Sequence, residues 1–381
     1  MKHLRSIGPA AVMAIAVAAT LGAVAGPASA ATSQSADHHG DGRTVFVQTD
    51  NTAGNQVVAY DRARNGSLTQ AGTYSTGGLG GILAGSVVDH LASQGSLTYD
   101  RQHSTLYAVN AGSNTIAVFS VRGDHLRLRQ VIGSGGTFPV SVAVHGDLVY
   151  VLNAENGGSV QGYRSFFGRL FRVPRSHRAL GLDPTATPQF THTPGQVAFS
   201  PDGSQLIVTT KANGNDIDVF GVHFNGRLSA APVVNSEPGT VPFGITFDRA
   251  GHLAIAEAGP NALATFALSP DGTVTLLDAA GNGQAATCWV APARGLLFAS
   301  NAGSPSVSGY SSSFSGQLTL AGSTTTDPGT VDATASGRFL YVQTGGKGIV
   351  DEFAIGAGGS LTEIGSVTVP GAVGGEGITA A

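Results

Sequence analysis

Hydrophobic and polar positions alternate along most of the chain in short runs separated by turns, and this pattern occurs seven times. Each repeat has a strand with an apolar anchor, a polar turn, a second strand that ends on an aromatic residue, and a Gly-x-Leu-like triplet. The anchors are Phe46, Tyr107, Tyr150, Ile207, Ala254, Phe298 and Tyr341. The aromatic residues are Tyr60, Phe119, Tyr163, Phe220, Phe266, Tyr310 and Phe353. Alternation with a period of two is typical of β-strands that bury one face.

The spacing of the repeats predicts a propeller. Successive anchors lie 43 to 61 residues apart, and another short strand precedes most of them, as at 140–144 and 331–337. Repeats of this length with four strands each are typical of propeller blades. A helical repeat is disfavoured because Gly, Thr, Ser and Val are frequent inside the segments. We therefore predict an all-β fold over residues 43–381, a seven-bladed β-propeller with four antiparallel strands per blade.

The two ends of the repeat region predict how the ring closes. The first repeat begins at Arg43 without an inner strand, and Glu376–Ala381 resembles the missing one. We predict that this C-terminal strand joins the first blade and removes an open sheet edge. Two insertions, 77–94 and 171–193, connect outer strands to inner strands. They should therefore cover the same face, at the mouth of the central channel.

Residues 1–30 have the pattern of a signal peptide. Lys2 and Arg5 precede an apolar run over 10–25, and Ala28-Ser29-Ala30 is a small-x-small cleavage site. A membrane anchor is the alternative, but no second apolar span follows. We predict a secreted protein with a flexible leader over 31–42 and no membrane partner after signal removal.

Composition limits the remaining functions. The 381 residues carry a net charge of −4 and no Lys/Arg-rich stripe, so we expect no nucleic-acid partner. A single cysteine excludes an intrachain disulfide framework and a multi-cysteine metal site. Phosphate-loop, nucleophile-elbow and HExxH motifs are absent from the sequence. We predict a monomer that uses no cofactor and no metal and binds a small molecule at the channel mouth.

Four segments resemble the lactonase family of seven-bladed propellers, which includes 6-phosphogluconolactonases and 3-carboxymuconate cyclases. They are PGQVAFSPDGSQLIVTTKANGNDIDVF (194–220), TVPFGITFDRAGHLAIAEA (240–258), QAATCWVAPARGLLFASNAGSPSVSGY (284–310) and GRFLYVQTGGKGIVDEF (337–353). The likeness is greatest to the secreted actinobacterial branch. The resemblance implies a lactone hydrolase or a lactonising cyclase.

This chain departs from the family's charged positions. Gly195 stands where the enzymes carry a His after an inner-strand Pro, and Phe243 stands where they carry an Arg. Glu257-Ala258 replaces an Asn-Glu pair. Because a phosphorylated sugar acid needs an Arg or Lys clamp, we predict weak or absent 6-phosphogluconolactonase activity.

Three residues are candidates for catalysis, each with a structural alternative. Lys211 follows the anchor strand of its repeat on the mouth face and either binds an anion or polarises a carbonyl, or is a solvated loop lysine. Glu257, in the equivalent position one blade on, is either a general base or a partner of Lys211, or else a carboxylate that orders the turn. His192 ends the second insertion beside an inner strand and is a ligand or catalytic candidate.

Four further residues are candidates for ligand binding. Asn301 ends the anchor strand of its repeat, where Asn either meets a ligand or bonds its own turn. Trp289, the only tryptophan, either packs under the insertions or stacks on a ligand. Gln196 and Glu376 occupy inner-strand positions beside the channel, and Glu376 is the one carboxylate expected there.

A basic cluster lies in the third repeat. Its arginines either steer an anionic substrate or polymer, or form a solvated edge that blocks strand pairing. The members are Arg164, Arg169, Arg172, Arg175, His177 and Arg178.

Two functions remain open from the sequence. The first is a lactone hydrolase or cyclase that acts on a small polar ligand. The second is a non-catalytic extracellular propeller that binds a peptide, a glycan or a protein. An enzyme needs two or more charged mouth residues within hydrogen-bond reach, so the arrangement of the mouth discriminates between them.

Overall fold

A computed structural model describes residues 43–381; the predicted signal peptide (1–30) and leader (31–42) lie outside the described residues. The described residues form seven antiparallel sheets. The innermost strands of neighbouring sheets contact one another in a closed ring around a central axis. The predicted seven-bladed propeller with four antiparallel strands per blade is confirmed.

Within blades 2 to 7 the strands run in chain order from the axis outward. In blade 1 the C-terminal strand is innermost, and the first three strands of the chain follow it outward. Blade 1 contains β1 (Thr44–Gln48), β2 (Gln56–Arg62), β3 (Leu68–Ser75) and the last strand, β29 (Ile378–Ala380). Blade 2 contains β4 (Leu97–Asp100), β5 (Thr105–Asn110), β6 (Thr115–Arg122) and β7 (His125–Gly133). Blade 3 contains β8 (Pro139–His145), β9 (Leu148–Asn153), β10 (Ser159–Phe166), β11 (Arg169–Arg172) and β12 (Arg178–Ala179). Blade 4 contains β13 (Val197–Phe199), β14 (Gln205–Thr209), β15 (Asp216–Gly221) and β16 (Val233–Ser236).

The remaining blades are more regular. Blade 5 contains β17 (Pro242–Phe247), β18 (Leu253–Glu257), β19 (Ala262–Leu268) and β20 (Val274–Gly281). Blade 6 contains β21 (Thr287–Ala293), β22 (Leu296–Asn301), β23 (Ser306–Ser312) and β24 (Leu318–Thr325). Blade 7 contains β25 (Thr330–Ser336), β26 (Phe339–Thr344), β27 (Ile349–Ile355) and β28 (Leu361–Thr368). Short 3-10 turns lie at Ala111–Ser113, Gln189–Thr191 and Ala357–Gly359.

The C-terminal strand closes the ring, as the sequence predicts. β29 pairs antiparallel with β1 as the inner strand of blade 1, with Ile378 opposite Val47 and Ala380 opposite Val45. The Gln48 amide donates to the Gly377 carbonyl at 2.8 Å, which extends the ladder by one residue. The edge of β1 that faces the axis is therefore covered by the chain's own end.

The repeated aromatic residues and glycines join neighbouring blades. All seven second-strand aromatic residues are at most 1% exposed and lie between sheets. The Tyr150 hydroxyl of blade 3 donates to the Gly226 carbonyl of blade 4 at 2.6 Å, and Tyr341 of blade 7 donates likewise to Gly66 of blade 1. A Cβ at Gly66, where φ is +100°, would lie 2.4 Å from the Phe339 ring. The glycine of the triplet therefore permits both the turn and the close approach of the next blade.

Both insertions connect an outer strand to the inner strand of the next blade, so both lie on the predicted mouth face. The first follows β3, as predicted. The second begins later than predicted, because Phe171 lies in β11 and Arg178–Ala179 form β12 beside β10. Part of the predicted insertion over 171–193 thus forms the outer edge of blade 3, where β11 and β12 both pair with β10. Among residues 43–381, no helix is long and apolar enough to cross a membrane.

Candidate functional site

The end of the first insertion crosses the mouth of the channel. We call residues 88–95 the mouth segment. Its Ser93 hydroxyl donates to the Val140 carbonyl of blade 3 at 2.9 Å, and its Gln94 amide donates to the Gly195 carbonyl of blade 4 at 3.1 Å. The Gln94 side chain both donates to and accepts from the backbone of Val290 in blade 6, at 2.9 Å each. The mouth segment therefore bridges inner strands on opposite sides of the axis.

Four carboxyl groups lie together beneath this segment. Asp50 follows β1, Asp332 lies in β25, and Glu376 precedes β29, while Asp89 belongs to the mouth segment itself. All four are at most 4% exposed. They are close enough for the charges of Asp332, Asp89 and Asp50 to raise the pKa of Glu376. We call these four residues the mouth carboxyls.

Backbone amides and one carboxyl pair hold the mouth carboxyls in place. The Glu376 amide donates to Asp50 Oδ2 at 2.7 Å, and the Gly95 amide donates to Glu376 Oε1 at 3.1 Å. Asp89 accepts from the amides of its own segment, and Asp332 accepts from the Ala333 amide at 2.9 Å. Burial raises the pKa of Asp332, and a side-chain hydrogen bond with Glu376 opposes that rise. Two carboxyl groups can share such a bond only if one of them carries a proton.

Burial raises the pKa of every mouth carboxyl, because water is not available to solvate the charge. The pKa is about 8 for Asp50, about 7 for Asp332 and about 6 for Asp89, and that of Glu376 lies well above its usual value. Mutual repulsion acts in the same direction, whereas the backbone amides and Lys211 oppose it. At neutral pH the group therefore contains both carboxylic acids and carboxylates, a mixture suited to proton transfer.

Lys211 lies inside the structure, 1% exposed, rather than on a solvated loop. Its ammonium donates to the carbonyls of Ala92 and Phe190, both at 2.6 Å, and to the Thr193 hydroxyl at 3.0 Å. Burial lowers the pKa of Lys211 to about 7, and the nearby charge of Asp89 opposes this shift. Because all three N–H bonds hold the two insertions together over the mouth, none is left to polarise a substrate carbonyl.

The three predicted catalytic residues do not form one group. Within residues 43–381, no hydrogen bond or ion pair joins any two of Lys211, Glu257 and His192. Burial raises the pKa of Glu257 to about 7, and the nearby charge of Glu237 adds to the shift. His192 Nδ1 is 2.9 Å from the Pro188 carbonyl and lines a cleft of about 20 Å³ with Glu155 and Gln189. That cleft holds about one water molecule and is too small for a lactone ring.

The predicted ligand-binding residues lie in two places. Asn301 is engaged within blade 6, where it accepts from Asn282 and Thr287 and donates to the Ser306 carbonyl. Trp289 packs under the mouth segment, and its Nε1 donates to the Ser93 carbonyl at 2.6 Å.

Gln196 and Glu376 both lie beside the axis. Gln196 Oε1 accepts from the Ile245 amide of the next blade at 2.5 Å. Glu376 alone, of the four predicted ligand-binding residues, belongs to the mouth carboxyls. The structure thus places one member of the sequence-derived set among the buried acids.

The sequence predicts one carboxylate, Glu376, among the residues that open the inner strands, and the structure adds three carboxyls from other positions. β25 pairs Thr330 with Thr344 but Ala333 with Val342, so a β-bulge adds one residue and turns Asp332 toward the axis. Asp89 and the neighbouring His90 are the only titratable residues of the insertion over 77–94, a signal that could have marked them. Asp50 follows its strand by two residues and gave no such signal. No group of three or more His, Cys, Asp or Glu among the described residues is arranged to hold a metal ion.

The mouth carboxyls predict how stability depends on pH. An acid whose pKa is higher in the folded state costs stability once the unfolded chain has lost that proton, so stability falls as pH rises from about 4 to about 8. Lys211 acts oppositely, but only between its folded pKa of about 7 and its unfolded value near 10.5. We expect the thermal midpoint to fall by roughly 5 °C between pH 5 and pH 8 in scanning calorimetry. The Asp50→Asn variant should reduce this slope, and an equal or steeper slope would contradict the assignment.

Comparison with known proteins gives a family match and several similar structures. Residues 35–165, about a third of the chain, match the family model for "Lactonase, 7-bladed beta-propeller". The search of curated proteins gives no significant match.

Three solved structures resemble nearly the whole chain. The periplasmic gluconolactonase of Pseudomonas aeruginosa has a TM-score of 0.70 at 19% identity and covers 89% of this chain and 98% of its own. A Bacteroides fragilis protein provisionally assigned as a 6-phosphogluconolactonase has a TM-score of 0.69 at 17% identity and covers 90% and 98%. A Lactobacillus plantarum protein has a TM-score of 0.70 at 19% identity and covers 89% and 99%. At these identities the likeness shows the fold.

Proposed function

Because residues 35–165 match the lactonase family of seven-bladed propellers, we propose that this protein hydrolyses a neutral lactone at its channel mouth. The observation that carries the proposal is the buried pair of Asp332 and Glu376, each of which shifts the pKa of the other. An enzyme requires at least two reactive mouth groups within hydrogen-bond reach of each other, whereas a purely structural mouth has no need of such a pair. The likeness in fold to a periplasmic gluconolactonase supports the same class of reaction.

The carboxyl pair supplies both an acid and a base. In the proposed reaction, the carboxylate of the pair takes a proton from water as the water oxygen attacks the lactone carbonyl carbon. The ring C–O bond then breaks, and the carboxylic acid gives its proton to the departing alkoxide oxygen. The product is the open hydroxy acid, and the two groups return to their starting state by exchanging a proton between them.

Charge selects a substrate without a phosphate. Two further carboxyl groups, those of Asp50 and Asp89, lie near the pair, and the nearby cation Lys211 donates all its N–H bonds to neutral oxygens of the insertions. A phosphorylated lactone would bring negative charge to a buried acidic site that has no arginine clamp. The structure thus favours neutral, hydroxyl-rich lactones, in line with the departures seen in the sequence.

The mouth segment must move for a substrate to reach the pair. Asp89 contributes a carboxyl to the site, and the same segment bridges blades 3, 4 and 6 above it. We propose that this segment opens as a flap whose return excludes water from the reacting groups. The signal-peptide pattern of residues 1–30 supports a site of action outside the cytoplasm. We propose separately that the protein acts as a monomer.

A substrate comparison tests the function. Purified protein should hydrolyse glucono-1,5-lactone well above the spontaneous rate and should leave 6-phosphogluconolactone at its spontaneous rate. Acid release at constant pH measures both. Hydrolysis of the phosphorylated lactone alone would contradict the charge argument, and hydrolysis of neither would contradict the proposal.

The closed mouth favours a second candidate. A propeller whose channel is bridged by its own chain can also serve as a rigid binding module, with its loops as the contact surface. Replacement of Asp89–Gln94 by a glycine-serine linker distinguishes the two functions. If opening of the flap limits an enzyme, the linker variant should hydrolyse the lactone at a rate different from that of the native protein. A binding module should show no hydrolysis as the native protein or as the variant.

A further inference from the structure

Four phenylalanine side chains are exposed on the outer hairpins of blades 3 and 4, and the rings of Phe166 and Phe167 lie 4.3 Å apart between centroids. Phe166, Phe167 and Phe171 belong to the outer hairpin of blade 3 and are 63%, 84% and 55% exposed. Phe224, at the tip of the equivalent hairpin of blade 4, is 99% exposed. Single exposed apolar residues are common, but a cluster of large ones marks an interaction surface.

Strand register places arginines on the same face as these rings. In the β10–β11 pair, Arg164 lies opposite Phe171 and Phe166 lies opposite Arg169. Opposite residues of an antiparallel pair share a face, as do residues two apart, so these four side chains lie on one face. That face is turned to blade 4, because Arg164 Nη2 donates to the Phe224 carbonyl at 3.4 Å.

The positive charge of this edge is mostly uncompensated. Arg164 forms an ion pair with Asp147, and among residues 43–381 no ion pair is recorded for the other arginines of the outer hairpin of blade 3. Arg178 and Arg227 donate to backbone carbonyls of the two blades, which lock the hairpins together without neutralising either guanidinium. The stretch from Arg122 to Arg178 contains eight arginines and only three acidic residues, in a chain whose net charge is −4.

We infer that this edge, defined by Phe166, Phe167, Phe171 and Phe224 with the arginines beside them, docks on the surface of an anionic lipid bilayer. The surface of such a bilayer presents phosphates directly above an apolar layer. The arginines can therefore pair with phosphates while the phenylalanine rings enter the apolar layer. A soluble polyanion would leave the four rings in water. An apolar protein groove would leave the guanidinium groups without counter-charges.

Docking of this kind is independent of the proposed hydrolysis and needs no membrane-spanning segment. The absence of a second apolar span, on which the sequence expectation of no membrane partner rests, therefore does not bear on it. The hairpins that carry Phe166 and Phe224 join third to fourth strands, at the end of the blades opposite to the mouth. The mouth face would therefore still point into the solution while the protein is bound to the bilayer.

Vesicle flotation tests the inference. The protein should float with vesicles of phosphatidylcholine that contain one third phosphatidylglycerol, and it should stay behind with phosphatidylcholine alone or in high salt. The F166S/F167S/F224S variant and the R164E/R169E variant, whose arginines share the face of the rings, should each bind at least about tenfold more weakly. An F167W variant should be quenched by brominated acyl chains, because its indole would enter the apolar layer.

Phe314 supplies the matched control. It is 90% exposed at the tip of the equivalent hairpin of blade 6, whose strands β23 and β24 contain no basic residue. The F314S variant should therefore bind like the native protein, and all variants should keep the native thermal midpoint. Failure to bind anionic vesicles would overturn the inference. Binding that survives the phenylalanine variant would also overturn it, and would identify a polyanion site instead.

Discussion

Removal of Ile378–Ala381 should lower the free energy of unfolding by about 5 kcal/mol. The deletion takes away the β29–β1 ladder and the buried Ile378 side chain, which is 4% exposed. It keeps all four mouth carboxyls and removes one long hydrogen bond to them, from the Ile378 amide to Asp332 Oδ2 at 3.4 Å, so most of the loss measures closure of the ring. Because each blade is supported by its two neighbours, an opened first blade weakens the contacts on both of its sides.

Denaturant titration, with native fluorescence and circular dichroism recorded together, measures this effect. The matched control is Thr379→Ala, which keeps the backbone ladder and removes only a partly exposed side chain; it should cost less than about 1 kcal/mol. A truncated protein that unfolds at the same denaturant concentration as the native chain would show that the ring does not depend on β29.

The Glu376→Gln and Asp332→Asn variants should each lower kcat for lactone hydrolysis by about 10²- to 10⁴-fold. Each substitution keeps the shape of the side chain and its capacity to hydrogen-bond, but the pair can no longer hold one proton between two carboxyl groups. The double variant should be hardly slower than either single one, because the two groups act as a unit. KM should change little, since neither substitution removes a contact that the substrate requires only for binding.

Asp218→Asn provides the control for this prediction. Asp218 is also a buried carboxyl whose pKa burial raises to about 7, but it lies on the third strand of blade 4. Its removal should leave kcat unchanged. If Asp218→Asn and Glu376→Gln reduce the rate equally, the reductions reflect a general loss of stability, and the assignment of the pair fails.

Local patterns in the sequence were sufficient for the architecture. Strand alternation, the aromatic ends and the glycine triplets are properties of residues near one another in the chain, and they recur in every blade. The extra strand at Glu376–Ala381 could be assigned because the first repeat lacks an inner strand, which leaves the first blade one strand short. The same reasoning failed at 171–193, where a break in the outer strand of blade 3 resembles a loop in its composition.

The candidate site followed from tertiary structure. Asp50, Asp89, Asp332 and Glu376 come from four distant parts of the chain, and each is next to ordinary turn or strand residues in the sequence. Their closeness depends on ring closure, on a β-bulge in β25 and on an insertion that folds back over the axis. None of these has a periodic signal. Lys211 shows the same limit, since its sequence position predicts a loop and only the two insertions packed around it bury its charge. The fold therefore follows from strand patterns that are local in the sequence, whereas the candidate site depends on long-range contacts and on burial.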